Sequence, residues 1–73
     1  MKVANGIRLF RLQKQLTQEE LAARCGLDRT YISGIERGTR NVTINSLEKI
    51  IVLGLCISTR DFFYFIEDKD NEI

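Results

Sequence analysis

At 73 residues the chain is the size of one small domain, which buries only about 60% of the surface its unfolded form exposes, so further support is expected. With no histidine and two cysteines set in apolar patterns, neither a metal site nor a disulfide framework is expected, which leaves oligomerisation as that support. Residues 50–57 form the longest apolar run, too short to span a membrane, and the start of the chain leads into a charged amphipathic run rather than a secretion leader, so a cytoplasmic protein is expected.

The apolar spacing predicts a first helix over about residues 2–14, with Val3, Ile7, Phe10, Leu12 and Leu16 on its inner side and Lys2, Arg8 and Lys14 in water. Thr17 followed by Glu20 is a capping-box pattern that opens a second helix, which ends near Gly26. Asp28 is the expected N-cap of a third helix over about 29–36, closed by Gly38. After a polar loop, Thr43 caps a fourth helix with Ile44, Leu47, Ile50 or Ile51, and Leu55 inward, and Gly54 weakens its last turn. Ser58 with Asp61 opens a fifth helix over about 59–66, followed by a frayed acidic tail over 67–73. Five short helices and no strand define an all-α fold. The whole chain, 1–73, is then one domain, with a dimerisation region over about 44–66.

The stretch from Gln18 to Arg37 carries the clearest signal. Ala22 is small where a second helix must cross close above it, and Gly26 can take the left-handed conformation of a tight turn. Leu21, Cys25, Leu27, Ile32 and Ile35 put apolar groups on the inner sides of both helices. This is helix-turn-helix spacing, whose second helix enters the major groove of DNA. Arg29, Thr30 and Ser33 fall on its outward stripe. Arg29 offers two hydrogen bonds to guanine, a contact worth about 1–3 kcal/mol of discrimination. Thr30 offers a hydroxyl and a methyl. Gln18, Arg37, Arg40, Asn41 and Thr43 surround the helix as donors for phosphate. Tyr31 either hydrogen-bonds a phosphate or packs its ring on the first helix. Glu36 is a carboxylate near DNA, explained by an ion pair to Arg11 of the first helix.

Charge follows the same division. Residues 1–60 hold ten Lys/Arg against five Asp/Glu, while the remainder holds Lys69 against five acidic residues. A basic body with an acidic end suits a surface that faces DNA. Consecutive apolar groups from Ile50 to Ile57 and from Phe62 to Ile66 exceed what one helix face hides. Val52, Leu53, Phe62, Phe63 and Phe65 are therefore expected to supply a homodimer interface. Such a dimer presents two recognition helices about 34 Å apart, one turn of duplex.

Arg8-Leu9-Phe10-Arg11-Leu12 before the motif and Glu36-Arg37-Gly38 after it resemble the lambda-repressor/Cro-type helix-turn-helix family. Residues 27–50, LDRTYISGIERGTRNVTINSLEKI, resemble more narrowly the controller proteins of restriction-modification systems. That resemblance implies a homodimeric regulator on inverted repeats upstream of its own and the endonuclease gene, activating at low occupancy and repressing at higher. By position it implies base reading by Arg29 and Thr30, a loop arginine at Arg40 reaching toward the groove, phosphate contacts at Gln18 and Asn41, and a buried ion pair between Arg11 and Glu36. The aromatic run Phe62–Ile66 departs from the pattern. A phage-type repressor, or an antitoxin whose aromatic end binds a protein partner, are the other readings. Glu19 and Glu20, or the acidic tail, are candidate contacts for RNA polymerase. No nucleophile–base pair or glycine-rich phosphate loop points to an enzyme, and no cofactor or small-molecule ligand is expected.

Overall fold

The computed structural model describes residues 2–71. Helices α1 (Lys2–Gln13), α2 (Gln18–Cys25), α3 (Arg29–Arg37) and α4 (Ile44–Lys49) follow in order, α4 passes into a π-helical turn (Ile50–Gly54), and α5 (Thr59–Asn71) closes the chain. Among the described residues there is no strand.

Side chains at the starts of α2, α3, α4 and α5 fix where those helices begin. The Thr17 hydroxyl accepts from the Glu20 amide at 3.0 Å while the Glu20 carboxylate accepts from the Thr17 amide at 2.8 Å, the full capping box. Asp28 accepts from the Thr30 amide at 3.1 Å, Thr43 from Ser46 at 3.1 Å and Ser58 from Asp61 at 3.0 Å. Gly26 (φ +69°) and Gly38 (φ +78°) end α2 and α3 in the left-handed region, where a Cβ is strained.

Ile7 of α1, Leu21 of α2, Ile32 and Ile35 of α3, Ile50 and Ile51 of the π turn, Leu55 just after it, and Phe62 of α5 are fully buried together. The π turn departs from the expected regular helix. The Leu55 amide reaches back five residues to the Ile50 carbonyl at 2.8 Å, and the wider turn keeps Ile50, Ile51, Gly54 and Leu55 all inward. Gly54 is a contact point rather than a weak one: a Cβ there would lie 2.5 Å from Leu21 Cδ1 and 2.6 Å from Cys25 Sγ, so its absence lets α2 dock.

Several apolar positions differ from expectation. Ile44 is 85% exposed, because the Thr43 cap places it on the outer side of the first turn and inward packing begins at Leu47. Leu12 is exposed rather than inward. Cys25 is buried as expected, and burial pushes its thiol pKa up. Cys56 is exposed: it takes a left-handed φ of +58° to reverse the chain between the π turn and α5. Phe62, expected at an interface between copies, is instead core. Its ring lies 5.7 Å from Phe10 and meets Phe63 edge-on at 5.5 Å. Phe65 is half-buried with its ring 4.6 Å from Phe10, so it too is engaged within the protomer. Helix α5 also runs to Asn71, past the expected end near 66, so the acidic stretch stays helical there; residues 72–73 of the expected tail lie outside the described residues.

Candidate nucleic-acid interface

Burial of Ile32 and Ile35 fixes the rotation of α3, and this decides what it offers outward. Arg29 and Thr30 at its start are exposed, as are Arg37, Arg40, Asn41 and Thr43 beyond it, while Ser33 is half-buried. The helix opens on the Asp28 cap. The Thr30 amide and hydroxyl both donate to the Asp28 carboxylate, at 3.1 and 3.0 Å, and hold its pKa below the ordinary value, with the Arg40 charge adding to the effect. Thr30 therefore keeps its methyl and its oxygen lone pairs for a base edge, with the hydroxyl hydrogen already engaged.

One polar network locks α3 to the two helices before it. Arg11 donates from Nε to Glu36 Oε2 at 2.7 Å and from Nη2 to Oε1 at 2.9 Å, a bidentate pair whose side chains are only 10% and 3% exposed. Its Nη1 donates to the Leu16 carbonyl at 2.8 Å, and the Glu36 hydrogen bond raises the already high Arg11 pKa, so the guanidinium stays charged. The ion pair expected between Arg11 and Glu36 is present. Gln18 joins it: its amide donates to Glu36 Oε1 at 3.1 Å. Half-buried and turned toward the ion pair, Gln18 keeps one amide hydrogen for any phosphate.

Two further expected donors are engaged. The Tyr31 hydroxyl donates to the Asn41 carbonyl at 3.3 Å, and its ring packs against the core, so Tyr31 ties the following loop to α3. Thr43 donates to the Ser46 hydroxyl at 3.0 Å, so its hydrogen goes to the α4 cap. Sequence reasoning missed Arg24, whose Nη1 donates to the Gly54 carbonyl at 3.3 Å, since the π turn that aims that carbonyl has no sequence mark. Val52, Leu53 and Phe63 remain 46, 54 and 44% exposed. Among the described residues no cluster of His, Cys, Asp or Glu could hold a metal ion, and no helix is long and apolar enough to cross a membrane.

Two short helices joined at a left-handed glycine, the second presenting an arginine and a threonine from a locked frame, are a helix-turn-helix module. The family model for helix-turn-helix matches residues 7–53. The control protein C.MunI of Mycoplasma sp is 46% identical over 72 residues, covering 94% of this chain and 96% of that protein. The control protein C.BamHI of Bacillus amyloliquefaciens is 58% identical over 45 residues, 60% of this chain. The crystal structure of the restriction-modification controller protein C.Esp1396I superposes with a TM-score of 0.88 at 52% identity, covering 92% of this chain and 87% of that one. The chain belongs to the helix-turn-helix family, in its controller-protein branch. It spans about half the length of some relatives, 45% of a hypothetical transcription factor of Neisseria meningitidis and 56% of C.BamHI. C.Esp1396I has been solved as a tetramer in complex with its natural 35 base-pair operator and bound to a 19 base pair duplex.

Proposed function

We propose that this protein is a sequence-specific DNA-binding regulator of the controller type, acting as a homodimer on a pseudo-palindromic operator of a restriction-modification system. The observation that carries this reading is the exposed Arg29–Thr30 pair at the start of a helix held by a buried bidentate ion pair. That rigidity matters because a bidentate contact to guanine discriminates only if the guanidinium arrives in register. The likeness to C.Esp1396I, solved on its operator, supports it. Arg29, Thr30, Ser33 and Arg40 read bases. Gln18, Arg37, Asn41 and the α4 start around Thr43 position phosphates, with Tyr31 holding the loop in place. Val52, Leu53 and Phe63 pair the two copies. The protein works in the cytoplasm, stoichiometrically and without covalent chemistry. Glu20 is committed to its cap, which leaves Glu19 as the α2 carboxylate facing RNA polymerase.

Competition binding tests the assignment. Arg29→Ala should lose on the order of tenfold or more in affinity for the operator while its affinity for random duplex changes little, because one base contact is lost and most phosphate contacts stay. A variant that still preferred operator over random DNA as strongly as wild type would overturn it.

A further inference from the structure

The turn after α3 folds back onto the helix it leaves. The Gly34 carbonyl accepts from the Thr39 amide at 2.9 Å, the Arg40 amide at 3.1 Å and the Thr39 hydroxyl at 3.2 Å. Further along, the Tyr31 hydroxyl holds the Asn41 carbonyl. The segment 39–41 is thus fastened to α3 on both sides of the Arg40 side chain. That side chain lies on Gly34. A Cβ at position 34 would meet Arg40 Cγ at 2.5 Å, Arg40 Cβ at 3.2 Å and Thr39 Oγ1 at 3.5 Å. These are the root of the arginine rather than its mobile tip, and the backbone they hang from is itself bonded to Gly34. To clear that Cβ the stem must rotate about its Cα–Cβ bond or the turn must shift, and either one displaces the guanidinium.

Gly34 is a buried residue inside a helix with no left-handed φ, so its backbone conformation does not call for glycine. Glycine there weakens the helix relative to alanine. The bare Cα needs another reason, and the Arg40 stem resting on it supplies one. The Arg40 charge also adds, after the two Thr30 hydrogen bonds, to the lowering of the Asp28 pKa.

We propose that Gly34 is a positioning residue for DNA recognition: its missing side chain forms a seat on α3 that holds Arg40 as an extension of the recognition surface. Arg40 then reads the groove from a fixed place instead of searching for it from a free loop. The inference rests on the operator-binding reading above, with Arg40 among the readers.

The test is a double-mutant cycle with Gly34→Ala, Arg40→Ala and the double variant on operator and random duplexes, with helical content checked by circular dichroism. Both single variants should lose on the order of tenfold in operator affinity, and the double variant should bind no more weakly than Arg40→Ala. Gly34→Ala keeps the charge, so its random-DNA affinity and salt slope should match wild type, whereas Arg40→Ala should flatten the slope by about one. A fold defect would depress both duplexes alike. Operator affinity of Gly34→Ala equal to wild type, or losses that add, would overturn the seat. Amide exchange in the free protein judges it without DNA. The Thr39 and Arg40 amides should be protected in wild type and exposed in Gly34→Ala while the rest of α3 keeps its protection. Equal exchange in both proteins also overturns it, whereas a wild type that prefers no operator would count against the DNA reading and leave the exchange result to stand by itself.

Discussion

Arg11 donates three hydrogen bonds, two to Glu36 and one to the Leu16 carbonyl, from a side chain almost out of contact with water. Removing one member of a buried pair strands the other, at a cost of about 3–5 kcal/mol. A domain of this size has a total stability of roughly 4–11 kcal/mol, so the loss takes a large share. Arg11→Ala should accordingly lower the urea midpoint sharply and leave operator binding detectable only where the protein stays folded. A stability within about 0.5 kcal/mol of wild type would show that the pair does not hold α3. This pair was legible in the sequence because a carboxylate on a DNA-facing helix demands a cation. Gln18 was only half legible: its place at the start of α2 was readable, but its turn toward Glu36 depends on packing across three helices.

The caps make the element starts readable and give them a pH signature. Hydrogen bonds from the Thr30 amide and hydroxyl lower the Asp28 pKa from its ordinary 3.8, and those with Thr17 lower that of Glu20 from 4.5. For a carboxyl depressed by folding, the contribution to stability is complete above the ordinary value and disappears as pH falls through the folded one. The urea midpoint should therefore drop below about pH 4, and Asp28→Asn, which keeps an acceptor without the charge, should drop less steeply. An unchanged acid slope in that variant would remove Asp28 from the account. Caps and glycine stops are local chemistry, which is why α2 and α3 fall where their sequences place them. The π turn, the outward Ile44 and the exposed Cys56 were not legible. The π turn and the reversal at Cys56 depend on how the chain after α4 accommodates Leu21 and Cys25 against Gly54, a long-range fit that no short window encodes, while Ile44 is turned out by where the Thr43 cap starts α4. Phe62 was misplaced for a related reason: an aromatic run shows that some rings face out, and only the contact with Phe10 says which ring does not.

At the scale of the whole molecule, the longest extent of the described chain is 33 Å, close to one turn of B-form duplex. Val52, Leu53 and Phe63 stay about half exposed, and a small domain gains support by covering such groups with a second copy. The proposed homodimer would cover that face and present two copies of α3 to the duplex. Basic residues predominate through residue 60 and acidic ones beyond it, which favours docking α3 rather than the end of α5 against phosphate. Methylation-interference footprinting on the DNA upstream of the gene tests this arrangement most directly. It should give two interference patches, each at a guanine in the major groove, with centres about 10 base pairs apart on one face of the duplex. A single patch at every protein concentration, or no guanine interference at all, would contradict it.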